Sequence, residues 1–145
     1  MRTEDFPRLV LDANIMVSAC IGHSFPLFVQ LYEAGVELLA AVHQWVETRE
    51  VLVTKLGNPE DWADGQLEQL ASVVRPIHPA VLERHRERAL SRLPGRAARD
   101  WPVLASSYAS GGAVWSHDKH LWGSGAPLWF TRTLQREMQL IAAEG

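Results

Sequence analysis

Apolar and polar positions change their period repeatedly along the chain, and each change marks an element. Residues 8–12 form a short apolar run, Leu9-Val10-Leu11, closed by Asp12, the pattern of a strand buried on both faces. Residues 14–20 read as a first helix, with Gly22 ending it. Pro26 suits a helix first turn, and Leu27, Phe28, Leu31 and Tyr32 give that second helix an apolar stripe up to Gly35. A second strand is expected over 36–42. A helix over 43–56 would bury Val42, Trp45, Val46, Val53 and Leu56, and Gly57-Asn58-Pro59 breaks it. Residues 59–73 repeat the helical period through Trp62, Leu67, Leu70 and Val73, and a short strand follows over 74–78. A further helix runs over 79–93, and Pro94-Gly95 is the clearest loop. Arg99-Asp100 caps the next helix, which has Pro102 in its first turn and stops at Gly111-Gly112. Strands at 113–116 and 128–131 flank a Gly-rich loop, and a helix over 133–143 closes the chain. Strands alternating with helices imply a parallel sheet of four to five strands covered on both faces, a three-layer α/β/α arrangement.

A chain of 145 residues, 47% hydrophobic and 21% charged, is expected to form a single globular domain with a real core. Its one cysteine, Cys20, permits no internal disulfide, which fits a reducing compartment. The start, Met1-Arg2-Thr3-Glu4-Asp5, carries no secretory apolar region, and no stretch is long enough to span a membrane. A cytoplasmic protein with no membrane partner is the expectation. The net charge of −3 argues against a general nucleic-acid coater. Six of the 14 basic residues nevertheless fall between Arg84 and Arg99. Arg84, Arg88 and Arg92 would share one face of the 79–93 helix, where like charges repel by a few tenths of a kcal/mol per pair. Two readings stand level: a solvated face balanced by Glu83 and Glu87, or an anion-binding patch for RNA phosphates or an acidic partner segment.

The chemistry lies in four acids. Asp12 and Asp118 each follow a strand-like run, Asp100 opens a helix, and Glu47 lies in a helical stretch between them. An Asp at the carboxyl end of a parallel strand points into the crevice where open α/β sheets bind ligands. Two such residues and a third on a following helix would offer Mg²⁺ or Mn²⁺ an all-oxygen nest, the equipment of metal-assisted phosphodiester hydrolysis. Each acid has a plainer reading too: Asp12 and Asp100 as helix caps, Asp118 in an Asx turn, Glu47 as a solvated helix residue.

Three blocks of residues resemble PIN domains. Val10-Leu11-Asp12-Ala13-Asn14 with Val17-Ser18-Ala19 resembles their opening, and Asp100-Trp101-Pro102-Val103-Leu104-Ala105 resembles their third acidic motif. Trp115-Ser116-His117-Asp118-Lys119-His120-Leu121, then Gly123-Ser124-Gly125 and Leu128-Trp129-Phe130-Thr131, resembles the last motif of VapC-like toxins and their relatives. The blocks cover nearly the whole chain in the family's order. The resemblance implies a three-layer α/β/α fold and a Mg²⁺- or Mn²⁺-dependent ribonuclease acting on RNA. It also implies the toxin half of a toxin–antitoxin pair, with an antitoxin protein as partner and a homodimer as assembly. Carried over residue by residue, Asp12, Asp100 and Asp118 are metal ligands. Glu47, followed by apolar Val51 and Leu52, fits the register of the helical acid, with Glu50 as the alternative. Two positions depart from the pattern: His120 stands where many relatives carry a further Asp, and Phe130 replaces a usual Thr.

Around these acids, Asn14 would orient Asp12 or contact a phosphate, against the simpler role of a helix-start hydrogen bond. Ser116 and Thr131 would steady the cluster, against ordinary strand-end polarity. His117, Lys119 and His120 are read as exposed loop residues rather than ligands, and Trp122 and Trp129 as packing rather than base-stacking residues. Cys20 is read as an inert buried thiol. The apolar early helices, 15–20 and 27–32, hint at a dimer face. Two other functions compete with the metal nuclease. One is a PIN-fold protein with weak or lost catalysis that acts as an RNA- or protein-binding regulatory module. The other is an Asp-nucleophile phosphatase, ranked low because that chemistry wants a second acid where this chain has Asn14.

Overall fold

Five strands that alternate inward on two faces build the centre of the molecule. In the computed structural model, which describes residues 7–118, 121 and 123–144, they are β1 (Arg8–Leu11), β2 (Glu37–Ala41), β3 (Val74–Ile77), β4 (Ala113–Trp115) and β5 (Leu128–Trp129). All pairings are parallel and the order is β3-β2-β1-β4-β5. Leu9, Leu11, Leu38, Ala40, Ala113 and Trp115 point to one face, and Val10, Leu39, Ala41 and Val114 to the other. Strands buried on both sides read as continuous apolar runs, which is why β1 was recognisable.

The helices divide between the faces. α1 (Ala13–Cys20), α2 (Phe25–Glu33), α4 (Glu60–Leu70) and α8 (Thr131–Glu144) contribute Ile15, Met16, Leu27, Phe28, Leu31, Leu70 and Leu134 to the first core. α5 (Pro79–Glu83), α6 (Arg86–Ser91) and α7 (Trp101–Ser110) contribute Leu82, Ala89, Val103 and Leu104 to the second. The result is the three-layer α/β/α architecture expected from the alternation of elements. Gly112 joins α7 to β4 where a Cβ would lie 3.0 Å from the Arg8 carbonyl oxygen, so a side chain there would need the β1 backbone to give by a few tenths of an ångström. No single helix among the described residues is long and apolar enough to cross a membrane.

Several boundaries differ from the sequence pattern. The 43–56 helix is α3 (Val42–Glu50) followed by a π-helical turn, Val51–Lys55. The Leu56 N–H donates to the Val51 carbonyl, and the Asn58 side chain caps the Leu52 carbonyl at 3.1 Å. Val46 is 61% exposed and Leu56 is exposed, whereas Gln44, Thr48 and Leu52 are buried. The apolar stripe holds at Trp45 and Val53, which pack against the first core, and fails at Val46 and Leu56. The 79–93 helix is two short helices broken at Arg84-His85, so Arg84, Arg88 and Arg92 do not form one row. Like charges at that spacing would repel, and Arg88 of that row and Arg86 beside it lie over aromatic faces. Arg86 lies 5.0 Å from the Trp101 ring centroid and Arg88 lies 3.8 Å from that of Tyr108. β5 ends at Trp129, and Thr131 opens α8 rather than ending a strand.

The apolar positions behind the dimer expectation serve the chain's own core: Ile15, Met16, Ala19, Cys20, Leu27, Phe28 and Leu31 are all buried in the first cluster, with Tyr32 exposed beside them. Cys20 is buried, and burial pushes its thiol up to about 11. Lys119, His120 and Trp122, and the first six residues, lie outside the described residues.

Candidate active site

The sheet order reverses at β1. From there the chain runs outward to β2 and β3 on one side and to β4 and β5 on the other. In open α/β sheets a crevice opens at such a switch point, beyond the carboxyl ends of the strands. Asp12 follows β1 there, and its N–H donates to the Trp115 carbonyl of β4 at 3.1 Å.

Asp12, Glu47, Asp100 and Asp118, with Asn14, Arg96 and Arg99, line one cleft of about 330 Å³. Each acid arrives on a different element. Asp12 sits between β1 and α1, Glu47 is in α3, Asp100 stands at the junction of a 3-10 segment (Gly95–Asp100) with α7, and Asp118 follows β4. α3 starts immediately after β2, so its first turns lie over the carboxyl edge and bring Gln44 and Glu47, three residues apart, to the same side. Glu50 lines a neighbouring groove with Val42, His43, Val46 and Pro79, which Glu47 also borders.

Asp12 is the best-held side chain. Its Oδ1 accepts from the Ala13 N–H at 2.8 Å and from Gln44 Nε2 at 3.3 Å, and its Oδ2 accepts from the Ser116 hydroxyl at 2.7 Å. It is therefore both a helix cap and a cleft carboxylate. Ser116 Oγ in turn accepts from the Asp118 N–H at 2.9 Å, so one buried hydroxyl joins the two acids. Asn14 Oδ1 accepts from the His117 N–H at 3.4 Å, which ties α1 to the loop after β4. Asp100 occupies the cap position of α7 without a side-chain capping bond, contrary to the expectation that it caps that helix. Thr131 stands apart from the acids: its Oγ1 accepts from Trp115 Nε1 at 3.0 Å and shares a 2.7 Å hydrogen bond with His117 Nε2. Trp129 packs against the first core.

Burial pushes the Asp12 carboxyl above its ordinary value, and the nearby Asp118 charge adds to the rise against the opposing hydrogen bonds of Ser116 and Ala13. Glu47 is raised as well, first by partial burial and then by Asp12, while Lys55 and Arg99 pull it down. The acids thus sense one another across the cleft. Hard anionic oxygens in mutual repulsion are the donor chemistry that suits Mg²⁺ or Mn²⁺. Among the described residues no three Asp, Glu, His or Cys side chains converge closely enough to hold an ion as they stand.

The sequence pattern missed Gln44, Arg96 and Arg99 as cleft residues. A polar residue three positions before Glu47 was the one available signal for Gln44. The arginines were visible only as part of a basic stretch.

The PIN domain family model matches residues 10–139 of the chain. A comparison with curated proteins found no match. PIN domains are a family of nucleases that act on RNA in general and depend in general on divalent metal. The match runs from within β1 to within α8 and includes all four cleft acids, and the chain belongs to the PIN domain family.

Proposed function

We propose that this chain is a divalent-metal-dependent endoribonuclease that hydrolyses RNA phosphodiester bonds in the acidic cleft. One observation carries the reading: four carboxylates from four separate elements line a single cleft at the switch point of the sheet. Asp12, Asp100 and Asp118 would hold Mg²⁺ or Mn²⁺. When bound, the ion would supply Lewis acidity toward a phosphate oxygen and toward the attacking water. Glu47, whose carboxyl is raised, is suited to take and return a proton beside that ion. Asn14 uses its Oδ1 on His117 and keeps its amide N–H groups for a phosphate oxygen. Ser116 positions Asp12 and Asp118 relative to each other.

The resemblance to VapC-like proteins extends the proposal to the toxin component of a toxin–antitoxin pair, with a homodimer and a cytoplasmic location. The regulatory-module reading keeps one observation in its favour. The carboxylates are not gathered to ligand distance, so loading an ion requires them to turn inward.

Mn²⁺-dependent cleavage of a mixed RNA pool, with and without EDTA, tests the main reading. Cleavage should vanish with the chelator and return with added Mn²⁺. Chelator-resistant cleavage would overturn it, and metal-dependent RNA binding without cleavage would favour the module. Ser116→Ala should lower the cleavage rate by about 10–100-fold, the range typical of residues that orient metal ligands. A variant as fast as wild type would remove Ser116 from the machinery.

A further inference from the structure

Arg96 and Arg99 lie on a single 3-10 turn, Gly95–Asp100. Such a turn has about three residues per revolution, so residues i and i+3 eclipse. The two guanidinium-bearing side chains therefore project from one edge, and both line the acidic cleft. The turn itself is anchored. Leu93 before it and Ala97 within it are buried in the second core, so the arginines stand on a fixed support although both are exposed.

Their place in the cleft separates them from the other arginines, since Arg84, Arg92, Arg132 and Arg136 also take part in no ion pair or ring contact among the described residues but do not line it. Arg8, Arg49, Arg75 and Arg86 all form ion pairs with carboxylates. Arg86 and Arg88 also lie over aromatic rings. None of the ion pairs or ring contacts among the described residues involves Arg96 or Arg99. They face a cleft with four carboxylates and still leave their N–H donors to that space. Among the described residues that line the cleft, carboxylates outnumber guanidiniums, so the arginines form its positive edge beside an acidic floor suited to a cation. A polyanion cannot approach such a cleft from an acidic side, and the arginine edge is the approach with the favourable sign.

We infer that Arg96 and Arg99 form a two-point clamp for consecutive backbone phosphates of single-stranded RNA at the mouth of the cleft. The inference rests on the nuclease reading for its substrate class. Guanidinium forks match phosphate oxygens in a bidentate way, which lysines would not reproduce. Because the contacts are to phosphate, the clamp holds any sequence and sets the register of the strand rather than its identity.

Fluorescence anisotropy of a labelled single-stranded RNA tests this in an Asp118→Asn background with Mn²⁺, so that the strand stays intact. Arg96→Gln/Arg99→Gln should weaken binding by about tenfold or more at low salt. It should also lower the slope of log affinity against log salt by about 1.4, the value for two single-strand phosphate contacts. Arg84→Gln/Arg92→Gln, on exposed positions outside the cleft, should leave affinity and slope unchanged. Thermal melts check that each variant is folded. The clamp is overturned if the cleft pair leaves the slope unmoved, if the outer pair carries the effect instead, if the parent shows no salt-dependent RNA binding, or if polyglutamate displaces the RNA and binds more tightly. Failure here with metal-dependent cleavage intact removes the clamp alone. Loss of the nuclease reading with the slope effect intact leaves an RNA-gripping cleft without hydrolysis.

Discussion

Asp12→Asn is expected to fold normally and to lose RNA cleavage by more than about 100-fold, beyond the range seen when residues that merely support metal ligands are removed. Asparagine keeps a carbonyl oxygen for the Ala13 N–H and the Gln44 amide, and Ser116 Oγ has lone-pair capacity for the new amide donor. What disappears is one anionic oxygen donor. The same substitution has a second, opposite effect. The wild-type Asp12 carboxyl is raised above 3.8 chiefly by burial and further by Asp118, so ionising it costs stability. Its favourable contribution is complete below about pH 4 and is lost as pH climbs through the raised value. In the absence of divalent ions the variant should therefore melt higher than wild type near neutral pH and lose that advantage toward about pH 4. Added Mn²⁺ should narrow the neutral-pH gap by stabilising wild type more than the variant. Melting curves at the two pH values, with and without Mn²⁺, check this. An advantage of equal size at both would mean that desolvation and the Asp118 charge do not govern Asp12.

Trp115→Ala is expected to be the most damaging single change to the fold. Trp115 is fully buried at the carboxyl end of β4, its ring centroid 4.9 Å from that of Phe28 on α2, and its indole N–H donates to Thr131 at the start of α8. Truncating a buried tryptophan costs about 3–5 kcal/mol. A domain has only about 5–15 kcal/mol in total, so the midpoint of thermal unfolding should fall by roughly 10 °C or more. Trp115→Phe keeps most of the packing and loses the indole donor, and should cost about 1–2 kcal/mol. Activity should suffer in both, because Thr131 also holds His117, the residue before Asp118. Urea unfolding of the three proteins separates packing from hydrogen bonding. Equal midpoints for wild type and Trp115→Ala would mean that β4 is not the keystone of the first core.

Legibility varied with the kind of information each feature needed. β1 and the strand before Asp118 were plain because strands covered on both faces carry nearly unbroken apolar runs. The buried face of α3 was legible only in part: Trp45 packs on the first core as its period predicts, and Val46 does not. The helix borders the polar rim of the cleft, and no local period announces that Gln44 and Thr48 are buried while Val46 is exposed. The π turn after α3 is closed by the Leu56 N–H on the Val51 carbonyl and by the Asn58 side chain on the Leu52 carbonyl, bonds that no apolar period announces. The arginine helix is interrupted at Arg84-His85, and Arg86 and Arg88 lie over rings on α7, about fifteen positions downstream for Trp101 and twenty for Tyr108. Separation on that scale is invisible to a window that spans one helix.

The order of elements, the parallel sheet and the identity of the four acids belong to the sequence itself. Local period, strand-end position and family motifs are properties of short segments. The meeting of Asp12, Glu47, Asp100 and Asp118 in one cleft, the Ser116 bridge between two of them, and the arrival of Arg96 and Arg99 on the same wall were decided only by the tertiary structure. The strand order β3-β2-β1-β4-β5 is the physical reason. It places the ends of β1 and β4 side by side although about a hundred residues separate Asp12 from Asp118, and a contact across that span is created by chain reversal and not by any local preference.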